Sequence, residues 1–355
     1  MTWSPFKNSV KRFTGIDIGT SSIKIVELSS DGGRVRLENY GETSMKSLYR
    51  DPLRNKEQRA IVLSSYDLAS AIKDIYQNAQ IATKEAIFSI PDFSSFFTSF
   101  KLPPMTKEEI PMAVRFEARQ HIPLPLSEVV LDWSIIGDAG LDQAKDEIKI
   151  LMVAVPHEVI NQYEEVGKLA ELKVNALEAE VFGLARSVAQ GITETIGIID
   201  MGAQTTTMSI VDNGQLRESH SFDISGNELT RVLSKTLNVN YEEAERMKRR
   251  HGVRSSEMNL AKTLMPLIDI IASETDKVIH DYYQLEVKEI NKIIIAGGSA
   301  LLPGLKEYLS DRLKKEIEIA NPFKNINYPS VLEPAIKDIG PSYAVVTGVA
   351  LRGLL

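Results

Sequence analysis

Cysteine is absent from this 355-residue chain. Disulfides, thiolate metal sites and thiol nucleophiles are therefore excluded together. Histidine is sparse: the five present (His121, His157, His220, His251 and His280) are scattered and show no His-Glu-x-x-His spacing. Each reads as a surface or core-edge side chain rather than a metal ligand. No stretch reaches the roughly 18 apolar residues of a membrane-spanning helix. The opening "MTWSPFKNSVKR" lacks the apolar run of a secretory signal, and the cytoplasm is the expected compartment. Excess positive charge is missing too. A net charge of −7 argues against non-specific nucleic-acid binding and against a polybasic membrane patch. Neither a G-x-G-x-x-G between strand and helix nor a Walker A loop is found, which removes the dinucleotide-binding and P-loop classes.

What is present is a composition typical of soluble chains and a length that predicts about two domains. Residues 1–12 read as a frayed leader. Trp3, Phe6 and Val10, with Lys7, Lys11 and Arg12 among them, offer the alternative of a small amphipathic foot. Strands are expected over 14–18, 23–29 and 34–40, joined by the loop 19–22 and the turn "SSDGGR" as a hairpin meander. A charged stretch at 50–60 reads as loop. "SSYDLASAIKDIYQNA" reads as a capped helix with Leu68, Ala69, Ile72 and Ile75 on one face. Residues 85–173 read as a small inserted α+β unit of strand, helix, two strands and helix, in which "KLPPM" and "HIPLPL" are rigid extended connections. A helix is expected over 174–190. In the second half, 191–340, strands restart. They are followed by the helix "NYEEAERMKRRHG" capped by Asn240, and by a long helix striped with Leu264, Leu267, Ile268, Ile271, Thr275, Val278, Ile279 and Tyr282. "NKIIIAGGSALLPGL" reads as buried strand, Gly turn and helix start, and 341–355 as a closing helix with small residues on one side.

The chain repeats itself. "GIDIGTSSIKIVEL" around Asp17 and "IIDMGAQTTTMSIV" around Asp200 share apolar–apolar–Asp–x–Gly, then hydroxyl residues, then a second strand. The two aspartates are 183 positions apart (200 − 17). In each unit a strand delivers an Asp to a sheet end, and Gly lets the backbone turn sharply and approach a ligand. The amides and hydroxyls that follow form an anion cradle. Gly19, Thr20, Ser21 and Ser22 make the first cradle; Gly202, Ala203, Gln204, Thr205 and Thr206 make the second. A single corner fits a hairpin turn as well as a phosphate loop. Two facing copies fit a polyphosphate, with Asp17 and Asp200 holding a hydrated magnesium ion. Lys24 is placed to add a point charge toward the phosphates.

These segments resemble the motifs of the actin-like ATPases. Residues 17–24 look like their first phosphate motif and 200–207 like the second. Residues 293–305 look like the adenosine motif, with Gly297, Gly298 and Ser299 against the nucleotide; "EEAERMK" resembles the ribose helix, implicating Glu245 and Lys248. Helix 178–190 and the closing helix match the two connecting motifs. The resemblance implies a duplicated actin-like α/β fold divided into a leader (1–12), a first phosphate-binding subdomain (13–84), the partner-binding insert (85–173), a connecting helix (174–190), a phosphate- and adenosine-binding half (191–340) and the closing helix (341–355). ATP and magnesium are the implied cofactors. The loop "ISGNEL", which would bring Gly226 and Asn227 to the nucleotide, stands where a Gly-Gly pair is usual; Ser225 replaces one glycine, so a less close backbone approach is expected there.

Within the superfamily, "EARQHIPLPLSEVVLDW" and "NPFKNI" are similar to the PilM family of type IV pilus assembly, related to the cell-division protein FtsA. That likeness implies a cytoplasmic protein recruited to the inner membrane by the N-terminal cytoplasmic tail of PilN, held in a groove between the first subdomain and the insert. No catalytic base is obvious. Glu178 and Glu180 fall where related ATPases position water, and slow or absent hydrolysis is expected, with Glu180 as the candidate. An FtsA-like division protein is the alternative, although the chain ends at "LRGLL" without a basic amphipathic tail. A metabolic kinase is a weaker one, since no acceptor-site carboxylate stands out. Phe93, Phe96, Phe97 and Phe100 are expected either to anchor a partner peptide or to pack a subdomain edge.

Overall fold

The computed structural model describes residues 10–45, 64–136, 147–254 and 258–355. Trp3, Phe6 and Lys7 of the leader and the charged stretch 50–60 lie outside them. The chain forms two compact units: Met1–Ile90 with Asn161–Ser187 and Asn321–Leu355, and Pro91–Ile160 with Val188–Ala320.

The strands in chain order are β1 (Lys11–Ile18), β2 (Ser22–Asp31), β3 (Arg34–Ser44), β4 (Glu85–Ile90), β5 (Phe96–Leu102), β6 (Val129–Ile136) and β7 (Ile148–Pro156). They continue as β8 (Lys173–Ala179), β9 (Ile196–Met201), β10 (Thr206–Asp212), β11 (Gln215–Phe222), β12 (Lys292–Ala296) and β13 (Glu316–Ile319). The first unit carries a five-stranded sheet ordered β3-β2-β1-β4-β8, and the second a sheet ordered β11-β10-β9-β12-β13. The duplication read from the sequence is thus a duplication of topology: a meander followed by two parallel strands. It extends to register. Asp17 pairs with Lys24 in the first hairpin and Asp200 with Thr207 in the second. Both residues of the second pair are displaced by the same 183 positions (200 − 17 and 207 − 24).

Each sheet is clothed by helices whose apolar stripes face it. Helix Ser65–Asn78 starts at Ser64, whose side chain accepts the Asp67 amide, and buries Leu68, Ala69, Ile72 and Ile75 as the periodicity predicts. In the second unit, helix Met258–Glu286 buries Leu264, Ile268, Ile271, Thr275, Val278 and Tyr282, with Leu267 and Ile279 partly covered. Fully burying one such aliphatic side chain contributes roughly 1.5–3 kcal/mol.

Within the stretch read as the insert lies a three-stranded antiparallel sheet, β5-β7-β6, backed by helix Ile110–His121, whereas the strand at its start, β4, pairs with β1 and β8 in the first sheet. Val114 and Ala118 face its core while Met112 and Phe116 are exposed. By contacts its residues 91–160 group with the second half of the chain. The segment "NPFKNI" is a structural return: Phe323 is fully buried against Val26, Leu28 and Leu37, and the Asn327 amide donates to the Val35 carbonyl.

One expected helix is divided. Residues 174–179 belong to β8, which pairs in parallel with β4, and the helix spans only Glu180–Val188. Ala, Leu and Glu in "NALEA" favour helix locally, but the open side of β4 offers a ladder of backbone hydrogen bonds that overrides that preference.

Candidate functional site

The first corner is built where β1 ends. The Gly19 amide donates to the Ser22 carbonyl at 3.0 Å, closing a tight turn through Thr20 and Ser21. Ser22 is buried, whereas Ser21 is exposed and Thr20 partly so. Asp17 is 7% exposed. The Ser89 hydroxyl, on β4, donates to its Oδ1 at 2.6 Å. Among the described residues no cation pairs with Asp17. Lys24 sits opposite it on β2 and is likewise without an ion-pair partner among the described residues.

The second corner repeats the closure: the Gly202 amide donates to the Thr205 carbonyl, also at 3.0 Å. Ala203 and Gln204 lie in the turn between them. Thr206 is buried and its hydroxyl donates to the Ile224 carbonyl, so it fastens the strand end rather than facing a ligand. The turn is tied to the start of helix Gly226–Leu237: the Gly226 amide donates to Gly202 O at 2.9 Å and the Asn227 amide to Ala203 O at 3.1 Å. Ser225 caps that helix, its side chain accepting the Glu228 amide, in extended backbone (φ −146°) that any residue adopts. Nothing in that conformation demands the glycine that Ser225 replaces.

The turn 297–299 packs onto the same corner. Gly297 has φ +88°, and a Cβ there would stand 2.4 Å from Asp200 Oδ1 and 2.5 Å from Met201 O. Only glycine fits both the dihedral and the space. Gly298 is exposed with open space around it, and the Ser299 amide reaches Met201 O at 3.4 Å.

On helix Tyr241–His251, Lys248 is buried, 4% exposed. Its Nζ donates to Gly226 O and to Thr230 Oγ1, each at 2.8 Å, and pairs with Glu245 at 2.7 Å. Burial pulls the Lys248 ammonium below its ordinary value, against the Glu245 charge. Burial pushes the Glu245 carboxyl up, but the Lys248 charge and hydrogen bonds from Lys248, Thr230 and Arg249 outweigh it and hold it at about 2. These two residues therefore clamp the loop after the second hairpin.

Glu178 and Glu180 part company. Glu178 is on β8, its side chain 5% exposed. It accepts a two-pronged hydrogen bond from Arg186 (2.6 and 2.7 Å), and Arg352 lies 3.0 Å away. It is a structural anchor. Glu180 opens the helix, partly exposed, and it and Asp17 both act on the buried phenol of Tyr163, whose hydroxyl is raised by burial first and then by these two charges. Ser89 and Tyr163 were missed by sequence reasoning; the one signal was a serine in an otherwise apolar strand, "EAIFSIP".

The connecting and closing helices of the first unit meet at glycines. A Cβ on Gly348 would stand 1.7 Å from Gly183 O, and one on Gly183 2.9 Å from Val345 O. Among the phenylalanines, Phe96 and Phe100 pack on the insert core, Phe100 stacking on His121 at 5.4 Å, while Phe93 is 49% exposed. Phe93 and Phe97 line a cleft with Asp92, His121 and His220.

Among the described residues no group of three or more His, Cys, Asp or Glu could hold a metal, and no helix is long and apolar enough to cross a membrane. The donor set fits magnesium nonetheless. That ion binds through one or two carboxylates plus waters and phosphates rather than a protein cage. A buried carboxylate without a cation partner, as at Asp17, is the group such an ion would neutralise.

Comparison with known proteins follows the same lines. FtsA of Enterococcus faecalis is 20% identical over 352 residues, covering 87% of this chain and 78% of the relative. FtsA of Bacillus subtilis is 20% identical over 368 residues, covering 92% and 81%. Among solved structures, the "PilM-PilN type IV pilus biogenesis complex" aligns with a TM-score of 0.82 at 22% identity, over 96% of this chain and 98% of that one. MreB5 of Spiroplasma citri bound to AMPPNP aligns at 0.54 with 13% identity, over 98% and 96%. These likenesses establish a duplicated actin-like fold. The sequence profile of the "Type IV pilus assembly protein PilM" family matches residues 15–354, and the chain belongs to that family.

Proposed function

We propose that this chain is the ATP-binding, actin-like component of a type IV pilus inner-membrane assembly platform. It binds magnesium-ATP and the N-terminal cytoplasmic tail of a PilN-type inner-membrane protein. The observation that carries the nucleotide reading is the pair of corners closed by the same amide-to-carbonyl bond, Gly19 to Ser22 and Gly202 to Thr205, each beside a strand-end Asp. A turn serving only as a hairpin needs no such repeated carboxylate. In this reading Gly19, Thr20, Ser21, Ser22 and Lys24, with Gly202 to Thr205, contact phosphates; Asp17 and Asp200 face magnesium; Gly297 to Ser299 meet the adenosine. Glu245 and Lys248 act by holding the Gly226 loop in place. When bound, magnesium supplies charge neutralisation for the phosphates.

The partner reading is supported by family membership and by the likeness to a PilM–PilN complex. The insert is the surface we assign to it, and location at the inner membrane follows from that partner, in a chain resident in the cytoplasm. ATP acts by favouring one partner-competent conformation over another, with hydrolysis slow or absent. Two titrations test this. A fluorescent ATP analogue should bind the wild-type chain in magnesium, and a synthetic PilN-type tail should be retained by the immobilised chain. No magnesium-dependent nucleotide binding ends the first claim; no retention of any such tail, with and without nucleotide, ends the second. The FtsA relatives support a second reading as a filament-forming division protein. Long protofilaments on lipid in the presence of ATP, seen by electron microscopy, would favour it.

A further inference from the structure

Asp17 and Asp200 occupy equivalent positions, yet their neighbours on the next parallel strand differ. In the first sheet, one row read across all five strands is Glu42, Lys24, Asp17, Ser89 and Glu178. In the second, the row through Asp200 ends on Ala296 at the place where the first has Ser89. The first half sets a hydroxyl beside its carboxylate; the second sets a methyl.

Ser89 is fully buried. Its Oγ lies 2.6 Å from Asp17 Oδ1 and 3.3 Å from Ile16 O. One proton cannot serve both acceptors at full strength, and the nearer, charged one takes it. Oδ2 is then the oxygen on the turn side: it is 3.8 Å from where a Cβ on Gly19 would stand. No other side chain among the described residues ties the Asp17 carboxylate. A buried carboxylate with one oxygen fixed and the other turned to an anion-binding loop has a set direction.

The geometry points to Ser89 as a positioning residue: its hydroxyl orients Asp17 so that Oδ2 faces the Gly19–Ser22 turn, and the first corner thereby sets the affinity for magnesium in the nucleotide complex. The inference rests on the nucleotide role proposed for that corner. A hydroxyl that only satisfied a buried acceptor would affect folding and leave the magnesium response alone. A hydroxyl that aims the carboxylate affects the ion in particular, since outer partners of metal-binding groups typically govern affinity by 10-fold or more.

The test is magnesium titration of a fluorescent ADP analogue on the full chain, with the same analogue in EDTA as reference. Ser89→Ala should raise the magnesium half-saturation about tenfold and leave affinity in EDTA unchanged. Ser89→Cys, of similar volume but a weaker donor, carries the same expectation and serves if the alanine variant does not fold. Ser89→Thr, which keeps the hydroxyl, should restore the wild-type response. In an Asp17→Asn background, which lacks the carboxylate, adding Ser89→Ala should change nucleotide affinity in magnesium no further. A wild-type half-saturation in both Ser89→Ala and Ser89→Cys, or equal weakening with and without magnesium, overturns the inference while the site stands. A wild-type chain that binds no nucleotide in magnesium overturns the reading of the site itself, and this inference with it.

Discussion

Glu245 is a partly buried carboxylate held at about 2 by the Lys248 charge and by hydrogen bonds, against a burial effect that works the other way. In the unfolded chain the same group titrates near 4.3. A folded value below the unfolded one stabilises the protein above the unfolded value, and that contribution disappears as pH falls from about 5 toward 2. Melting temperatures of the wild type and Glu245→Gln should therefore differ most near neutrality and converge as pH falls toward 2, as read by calorimetry. Asp17→Ala and Asp200→Ala should each remove magnesium-dependent nucleotide affinity while leaving the fold intact; unchanged binding in a fluorescence titration would refute the corner chemistry. Gly297→Ala meets both a positive φ and an Asp200 oxygen. It should cost about 1–3 kcal/mol of stability by denaturant melt and weaken the adenine nucleotide as well.

The stretch "VNALEAEVFGLARSV" shows what local sequence conceals. Read alone it is one amphipathic helix; folded, it is strand β8 and then a helix from Glu180. The strand exists because β4 has an unpaired edge, a fact about a segment far away in sequence. Elements whose signal is internal were legible: the Asp-Gly-hydroxyl corners, the Ser64 cap, the stripe of Met258–Glu286, the insert's order. Elements and contacts that depend on distant partners were not. The role of Ser89 was not legible because it comes from the parallel pairing with Asp17, nor was the anchoring of Glu178, because Arg186 and Arg352 reach it from other elements. Buried as it is, Glu178 cannot lose its main partner without penalty. Arg186→Met should destabilise by about 3 kcal/mol in chemical denaturation and leave nucleotide affinity in the surviving folded fraction unaltered.

The molecule is a duplicated actin-like scaffold carrying an added module, and the module is where the sequence left two options for its phenylalanines. Phe96 and Phe100 belong to the insert core, which settles the packing role for those two. Phe93 is largely exposed, and Phe97 lines the cleft beside it. Phe96→Ala should therefore destabilise by roughly 2 kcal/mol, below the range for a fully buried Phe, whereas Phe93→Ala should leave the melting curve in place. Loss of PilN-type tail retention in Phe93→Ala, with nucleotide affinity kept, would map the partner to this cleft.

The crossing at Gly183 and Gly348 has an evolutionary edge. The obstacle to a methyl at 348 is a main-chain carbonyl, and no exchange of side chains elsewhere can trim a carbonyl away. Compensation is therefore closed off by ordinary substitution. A genetic selection that starts from Gly348→Ala and demands recovered thermal resistance should return revertants to glycine. Second-site suppressors trimmed at neighbouring side chains, if they appeared instead, would mean that the two helices can slide apart.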